Sequence, residues 1–516
     1  MMHLIYEFFT LHKKSKILVN TLLNNSITKK SSFRLFTIAI VLSSCISLSG
    51  QEMIGLNFSE YSGITGAMVN PALMTGSKVF LDVSIIGGNL SASNDMAYFL
   101  GGNNTISKLI KNDTFQLNDG NFKFNRNYNY YNNRSNKFLT TNARFLGPSA
   151  MLQFNHHAIG LSTSVRSMHG GNNIPYEMPI VFYEGIEFPD YHGLEFDDYN
   201  YSFVSMTWSE IGLSYAFDMV NYYDDKLTVG ISAKALFGHE GGYGAIDHAN
   251  FIIHDKNTVE FIDLDAEIAY SIPFDEEAVK LDFDPIIRGY GAGVDIGFVY
   301  TKKESIYDYN GTRGICSKPY QDYKYKIGIS ILDIGSVTFN KGAVRHTFED
   351  ASLYWADYDT THFLGLNETL RTYSKAFYND PDKTNSGNEF KIGLPTVLSF
   401  QLDYHVREKV YISALWMHPL RLNLHTLWRP SQIAFTPRYE NKYIGVSLPI
   451  SLINYKQARI GLALRVYSLT VGTERLGSYI GVSDFTGMDI YFSLKFNIEK
   501  GNCFSFDRGA CYNQDW

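Results

Sequence analysis

Ala458-Arg-Ile-Gly-Leu-Ala-Leu-Arg-Val-Tyr-Ser-Leu-Thr-Val471, followed after a turn region by Met488-Asp-Ile-Tyr-Phe-Ser-Leu-Lys-Phe-Asn-Ile498, decides the fold. In the first arm Ile460, Leu462, Leu464 and Val466 share one face, and Arg459, Gly461, Ala463, Arg465 and Tyr467 share the other. This is the period of two of a strand, whose successive side chains point to opposite faces. The second arm repeats it with Ile490, Phe492, Leu494 and Phe496, so the two arms read as one long hairpin. A half-buried soluble sheet shares such alternation. Here, however, it recurs in many segments of roughly ten residues, with no helical period long enough to pack against them, which is the pattern of a transmembrane β-barrel.

Composition agrees. Aromatic residues make up 15% of the 516, with 36 Tyr and 36 Phe, and charged residues only 19%, below the roughly 25% of a soluble domain. Rings with an apolar body and a polar tip suit the two interface girdles of a barrel. The mean hydropathy of -0.15 fits a wall in which only alternate residues meet lipid, and does not fit a bundle of membrane helices. A net charge of -7 leaves no electrostatic footprint for nucleic acid.

One continuous apolar run exists, Phe33 to Leu48, behind the basic flank Lys29-Lys30-Ser-Ser-Phe-Arg34. With its core at Leu35–Leu42 and the small-residue site Ser47-Leu48-Ser49, it reads as a secretory signal peptide, too short to span a bilayer. Leu42-Ser43-Ser44-Cys45 also resembles a lipoprotein box, which would make Cys45 the lipidated first residue. Residues 1–28 form a long leader, or the start codon lies further on. Cys503 and Cys511 stand in a polar tail with a glycine between them, and a disulfide is expected in an oxidising compartment. Cys316 is left over.

After the signal comes Gly55-Leu-Asn-Phe-Ser-Glu-Tyr-Ser-Gly-Ile-Thr-Gly-Ala-Met-Val-Asn70-Pro71-Ala72-Leu-Met-Thr-Gly-Ser77, leading into the alternating Val79-Phe-Leu-Asp-Val-Ser-Ile-Ile. This opening, with its Asn-Pro-Ala turn, resembles the DUF5723 family of Bacteroidetes outer-membrane proteins of unknown function. The closing stretches Leu469-Thr-Val-Gly472 and Thr486-Gly-Met-Asp489-Ile-Tyr-Phe-Ser-Leu-Lys495 are similar to that family's last strands. More distantly, Asn70-Pro71-Ala72 resembles the N-terminal segment of the long-chain fatty-acid channel family and of its type IX secretion relatives of the PorV kind. The resemblance implies a 14-strand barrel with an N-terminal plug. An Asn-Pro pair is also a common turn initiator.

The expected organisation is therefore all-β: a leader and signal peptide over 1–49, a plug over 50–78, one antiparallel barrel over 79–498 and a polar tail over 499–516. Strands are read at Ala143–Phe154, Ala158–Arg166, Tyr201–Trp208, Ile211–Phe217, Lys226–Phe237, Val259–Tyr270, Gly289–Tyr300, Tyr325–Ile334, Ser336–Val344, Ile392–His405, Val410–Trp416, Ile433–Tyr439 and Tyr443–Ile450. With the first strand and the final hairpin the series supports fourteen to sixteen, and fourteen is taken, an even number as in single-chain bacterial barrels. Lys234, Asp295, Arg459 and Arg465 are expected to face the lumen, because Lys or Arg in mid-bilayer costs about 2 to 4 kcal/mol. Three long insertions, 101–140, 168–200 and 346–388, carry polar and aromatic residues, the last with a short helix near Asn367–Phe377. Loops of this length serve as lids, plugs or binding surfaces, or are simply solvated.

Catalytic signals are absent. Gly289-Tyr-Gly291-Ala-Gly293-Val-Asp-Ile-Gly297 has its glycines at period two with no following helix, so it reads as a close-packed inner face and not as a nucleotide loop. His156 and His157 point to opposite faces of a strand. Gly238-His239-Glu240 lacks the helical partner of a zinc hydrolase, and no Gly-x-Ser-x-Gly elbow occurs. Asp263, Asp265, Asp282 and Asp284 could offer oxygens to calcium, but solvated carboxylates explain them as well. No enzyme, cofactor or metal is expected. The sequence supports a channel for hydrophobic or small solutes with a plugged lumen, with outer-membrane lipid and the solute as partners. The alternative is a non-transporting scaffold that binds another outer-membrane or secretion protein.

Overall fold

The computed structural model describes residues 53–99, 128–131, 133–179, 186, 188–197, 199–222, 224–275, 280, 281, 283–304, 322–356, 358, 365–423 and 425–499. The leader, Cys45, Cys316, Cys503 and Cys511, and with them the expected lipidation and disulfide, lie outside these residues. So do Asp282 and most of the 101–140 insertion.

Fourteen strands form the wall. They are β1 (Val79–Asn94), β2 (Lys137–Leu146 continued by Ser149–Phe154), β3 (His157–Ile174), β4 (Tyr201–Tyr222) and β5 (Asp225–Ile253). Next come β6 (Val259–Ser271 and Gly289–Lys303), β7 (Tyr323–Phe339 and Val344–Phe348) and β8 (Phe390–Gly393 and Val397–Arg407). The wall ends with β9 (Val410–Pro419), β10 (Gln432–Glu440), β11 (Ile444–Ser447 and Ile450–Ile453), β12 (Gln457–Ile460 and Leu462–Val466), β13 (Leu469–Thr473) and β14 (Asp489–Glu499). Neighbours pair antiparallel. β14 returns to β1, with Val83 opposite Phe496 and Leu90 opposite Ile490. Closure leaves no edge, which hydrocarbon would punish at several kcal/mol for each unpaired group.

Several boundaries differ from the sequence reading. The arm Ala458–Val471 is itself a hairpin: Tyr467 takes a left-handed φ of 52° and the chain turns back, so Leu469 opens β13. Tyr201–Trp208 and Ile211–Phe217 are one strand, because Ser209 and Glu210 keep the alternation although both are polar. Val259–Tyr270 and Gly289–Tyr300 are the upper and lower halves of one strand, both laid along β5. Tyr325–Ile334 and Ser336–Val344 belong to the single strand β7, which bends where Asp333 has φ of 56°. The 168–200 insertion begins as strand as far as Ile174. The merged segments leave the total at fourteen.

One face of each strand looks inward and the other outward. On β4, Gly212, Ser214, Ala216 and Asp218 are buried while Ile211, Leu213, Tyr215 and Phe217 are exposed. The exposed set continues round the wall through Ile231, Phe298, Ile329, Leu402, Phe435, Leu464 and Ile490. Phe154, Tyr215, Tyr404, Tyr439, Tyr443 and Tyr467 lie near the end of the barrel that carries the short turns at 155–156, 408–409, 441–443 and 467–468. Such a belt is stable only in lipid.

Beyond the belt, β3 to β7 continue past the bilayer as a one-sided crown. Its core lies on the outward face: Tyr201 pairs Ile246, Ile246 pairs Ala266 and Ala266 pairs Phe348 in one row. Where lipid ends, protein covers that row: Met178 and the helix Leu366–Tyr378 bring Leu366, Leu370 and Tyr373 against it. This helix is the one expected near Asn367–Phe377. The lumen between crown and plug is filled by Trp208, Leu236, Phe339, Phe390, Ile392 and Leu427, among others.

A charge tests the orientation of the wall. Leu213→Arg is expected to cost about 2 to 4 kcal/mol in denaturant unfolding from lipid vesicles, and Leu213→Ala much less.

Candidate functional site: a plug on a glycine seat

Residues 53–78 lie inside the barrel. The segment is a short helix, Ile54–Asn57, followed by two 3-10 turns, Gly63–Met68 and Pro71–Gly76. Nearly every residue is buried, and the apolar ones share small cores with the wall: Ile64 and Met74 with Met151 and Ala216, Phe58 and Val69 with Leu332 and Leu415.

Asn70 explains the turn. Its backbone is extended, its Oδ1 accepts from Ala72 N at 2.9 Å, and Pro71 fills the first position, where no N–H is missed. The other end of the carboxamide reaches the wall: Nδ2 donates to Gln401 Oε1 at 2.9 Å, Phe298 O at 3.1 Å and Ile329 O at 3.3 Å. The approach is possible because three neighbouring strands present glycine there. A Cβ on Gly230 would strike the backbone of Pro71 and Ala72, one on Gly297 the Asn70 carboxamide, and one on Gly328 would run into Gln401 and crowd Asn70. Asn70, Pro71 and Ala72 therefore rest on a bare patch of β5, β6 and β7.

The remaining contacts go round the wall. Thr75 Oγ1 donates to Asp218 at 2.6 Å, and its carbonyl accepts from Gln153 at 2.8 Å. Ser330 Oγ donates to Val69 O at 2.7 Å. At the closing seam, Asp82 of β1 accepts from Ile64 N at 2.7 Å, while Lys495 of β14 donates to Tyr61 O and Ser62 O, each at 2.7 Å.

Glu60 is the only carboxylate in residues 53–78. It pairs with Lys326 at 2.8 Å and lies 3.9 Å from Arg438, which is also bound by Asp403 and Glu440. Ser59 Oγ donates to Glu440 at 2.6 Å. Burial alone would push the Glu60 carboxyl up, but Lys326, Lys78 and Arg438 overcome it and hold the group down at about 2. A cavity beside this cluster, lined by Asn57, Glu60, Lys326, Gln401 and Asp403, measures about 20 Å³, room for one water.

Above the plug a second charged cluster crosses the lumen. Lys234 pairs with Asp295 and Asp333, both at 2.7 Å, and Arg166 holds Asp333 through two bonds of 3.0 Å with Glu210 at 3.5 Å. Lys234 and Asp295 thus meet, as inward charges on adjacent strands. Arg459 and Arg465 also point inward but stand apart. Arg459 donates to Ser93 at 2.6 Å, and Arg465 donates to Lys442 O at 3.1 Å and covers the plug's Tyr61 ring at 4.4 Å. Sequence reading missed Glu60, Lys326, Arg438, Arg166, Glu210 and Asp333. Glu60 was visible as the lone acid of its segment. Arg166 and Glu210 share the parity of Gly212 and Lys234: Arg166 already closes the strand read as Ala158–Arg166, and extending the alternation past Trp208 by two residues would have found Glu210. On the crown, Asp263 and Asp265 gather with Asp350, within 4.8 Å of one another and half exposed or exposed.

A closed tube, an apolar belt and an internal segment seated on glycines define a plugged transmembrane barrel. The chain belongs to the DUF5723 family, described as a family of unknown function, whose model matches residues 71–474. Among solved structures it is similar to a TodX monoaromatic hydrocarbon channel mutant (11% identity, 88% of this chain and 100% of that one, TM-score 0.40). It is also similar to a Pseudomonas aeruginosa FadL homologue (11%, 87% and 98%, 0.39) and to the Pseudomonas putida toluene transporter TodX (10%, 86% and 95%, 0.37). No curated protein matches.

Two outcomes are expected. Asn70→Ala removes a cap and a bridge to three wall acceptors and should weaken plug docking by about 1 to 3 kcal/mol; Gly230→Val should dislodge residues 53–78 while the wall stays folded. Limited proteolysis, read as cleavage within 53–78 against an intact barrel band, measures both. The second outcome concerns pH. Because Glu60 is depressed from 4.5 to about 2, its contribution is complete at neutral pH and is lost as pH falls through that interval. A spin label at Leu73 should stay immobile from pH 8 to about 5 and gain mobility only below that.

Proposed function

We propose that the protein is an outer-membrane transport barrel for a small hydrophobic solute, closed at rest by residues 53–78. The observation that carries this reading is how the lumen is shut. The closing element is a separate segment whose chain enters the wall at Val79 and whose backbone at residues 70–72 is laid on a glycine patch. A wall needing only stability could fill its lumen from its own strands, as it does above the plug. The strand ends joined by the long connections 95–136, 175–200 and 349–384 lie at one end of the barrel, and those joined by 304–322 at the other; by the usual asymmetry the end with more long connections faces the exterior. The plug then sits toward the periplasmic end. Residues 1–49 act as the export signal in this reading.

A second reading, a scaffold for another surface or secretion protein, is favoured by the crown. Among the described residues its core holds more buried side chains than any other cluster, and it contributes nothing to the plug. Reconstitution separates the two. Transport requires that the Gly230→Val protein raise conductance or uptake of an aromatic solute over the unaltered chain in liposomes. Equal, background values for both, with 53–78 shown by proteolysis to be released, would exclude transport. A partner captured from solubilised membranes only when the crown helix is intact would then support the scaffold.

A further inference from the structure

Just above the lipid belt, the outward faces of β3, β4 and β5 turn polar before the crown's core begins. On β4 the exposed Phe217, Tyr215, Leu213 and Ile211 give way to Ser209, Thr207 and Ser205, and Phe203 and Tyr201 beyond them are apolar again. Across the ladder Ser167 stands opposite Thr207 and His169 opposite Ser205. On β5 one extra residue, His239, sets Trp208 opposite Gly238 but Thr207 opposite Glu240. Alternation would send Glu240 into the lumen. The bulge turns it outward.

These side chains form one hydrogen-bonded ribbon. Ser205 Oγ meets His169 Nδ1 at 2.6 Å, His169 Nε2 meets Ser167 Oγ at 2.9 Å, Ser167 Oγ meets Thr207 Oγ1 at 2.8 Å, and Thr207 donates to Glu240 Oε1 at 2.7 Å. With a neutral imidazole at His169, counting protons fixes the direction. A carboxylate can only accept, so Thr207 gives its proton to Glu240, Ser167 gives its own to Thr207, and His169 donates from Nε2 to Ser167. Nδ1 is then the acceptor for Ser205. Four links use four protons. Ser167 is consequently no nucleophile facing a base, since its proton points away from the imidazole. Beside the ribbon, His239 Nδ1 lies 3.0 Å from Ile286 O, so it must donate there, and its Nε2 takes the Ser209 proton. The hydroxyl and imidazole protons of these links are spent among themselves, and the ribbon ends on an outward carboxylate. Among the described residues no Lys, Arg or His pairs with Glu240.

We infer that this ribbon is a lipid headgroup site, in which Glu240 binds the primary ammonium of an amine-bearing membrane lipid, for which phosphatidylethanolamine is the probe. A surface that offers acceptors selects a ligand rich in N–H donors and positive charge. Its place at the rim of the apolar belt, on the outer wall, puts it level with headgroups and away from the lumen. A lipid held there keeps its chains on Ile211, Leu213 and the outward face of β5.

The test is native mass spectrometry of the full chain released from micelles containing equal amounts of phosphatidylethanolamine, phosphatidylcholine and phosphatidylglycerol. Phosphatidylcholine keeps the positive charge without N–H donors, and phosphatidylglycerol lacks the cation. Retention of phosphatidylethanolamine about tenfold above both is expected, the worth of one charge-assisted hydrogen bond. Glu240→Gln should abolish the preference. Thr207→Val, which cuts the relay and leaves the carboxylate, should keep a reduced preference and serves as the second variant should Glu240→Gln fold poorly. Equal retention of phosphatidylethanolamine and either other lipid overturns the inference. So does a preference that survives Glu240→Gln, or one that chelating divalent ions removes.

Discussion

Lipid gives a peptide backbone no hydrogen bonds, and that single constraint governs this molecule. It forces the strands to close, with β14 against β1, and it forces each strand to alternate, because one face must satisfy hydrocarbon while the other carries everything else. A cylinder of fourteen strands encloses more space than its wall side chains need for mutual contact. The chain answers by feeding its own N-terminal segment into the bore. The glycines at 230, 297 and 328 follow from this: a backbone can approach a backbone closely only where no Cβ intervenes.

The same constraint explains why so many ions are buried. Charges excluded from the outer face collect on the inner one, where desolvation is costly unless partners are close. Each cluster therefore comes nearly balanced, as in Lys234 and Arg166 with Asp295, Asp333 and Glu210, or Glu60 with Lys326. Balance also gives register. An ion pair reaching from the plug to two strands of the wall allows one depth of insertion, whereas an apolar contact would tolerate several.

Alternation made the barrel legible in the sequence, and it made the inward side of Lys234, Asp295, Arg459 and Arg465 legible too. What it could not give was where strands begin and end. The pair Ser209-Glu210 looks like a break, yet continues the wall; Tyr467 looks like part of an arm, yet turns the chain. Polarity marks a boundary only when backbone geometry agrees, and a left-handed φ at Tyr467 or Asp333 leaves no trace in composition. The plug was suggested by Asn70-Pro71-Ala72 through resemblance. Its seat was not, because glycines spread over a hundred residues of sequence become one surface only after the strands pair. The parts of the crown at 168–174 and 346–348 read as insertions because its core uses the outward face, where an apolar residue is expected to meet lipid.

The seam between the first and last strands has a consequence for assembly. Asp82 and Lys495 stand on opposite lips of it, and both grasp residues 61–64, so a third piece of chain staples the two lips together. A cylinder zipped shut without that staple would leave Asp82 and Lys495, diagonal neighbours across the seam, without the Ile64 amide and the Tyr61 and Ser62 carbonyls as partners. Seating the N-terminal segment and closing the last strand against the first therefore stabilise each other. The piece that occupies the bore is thus also the clasp, and the same residues are asked to hold the ring closed and to keep its passage shut.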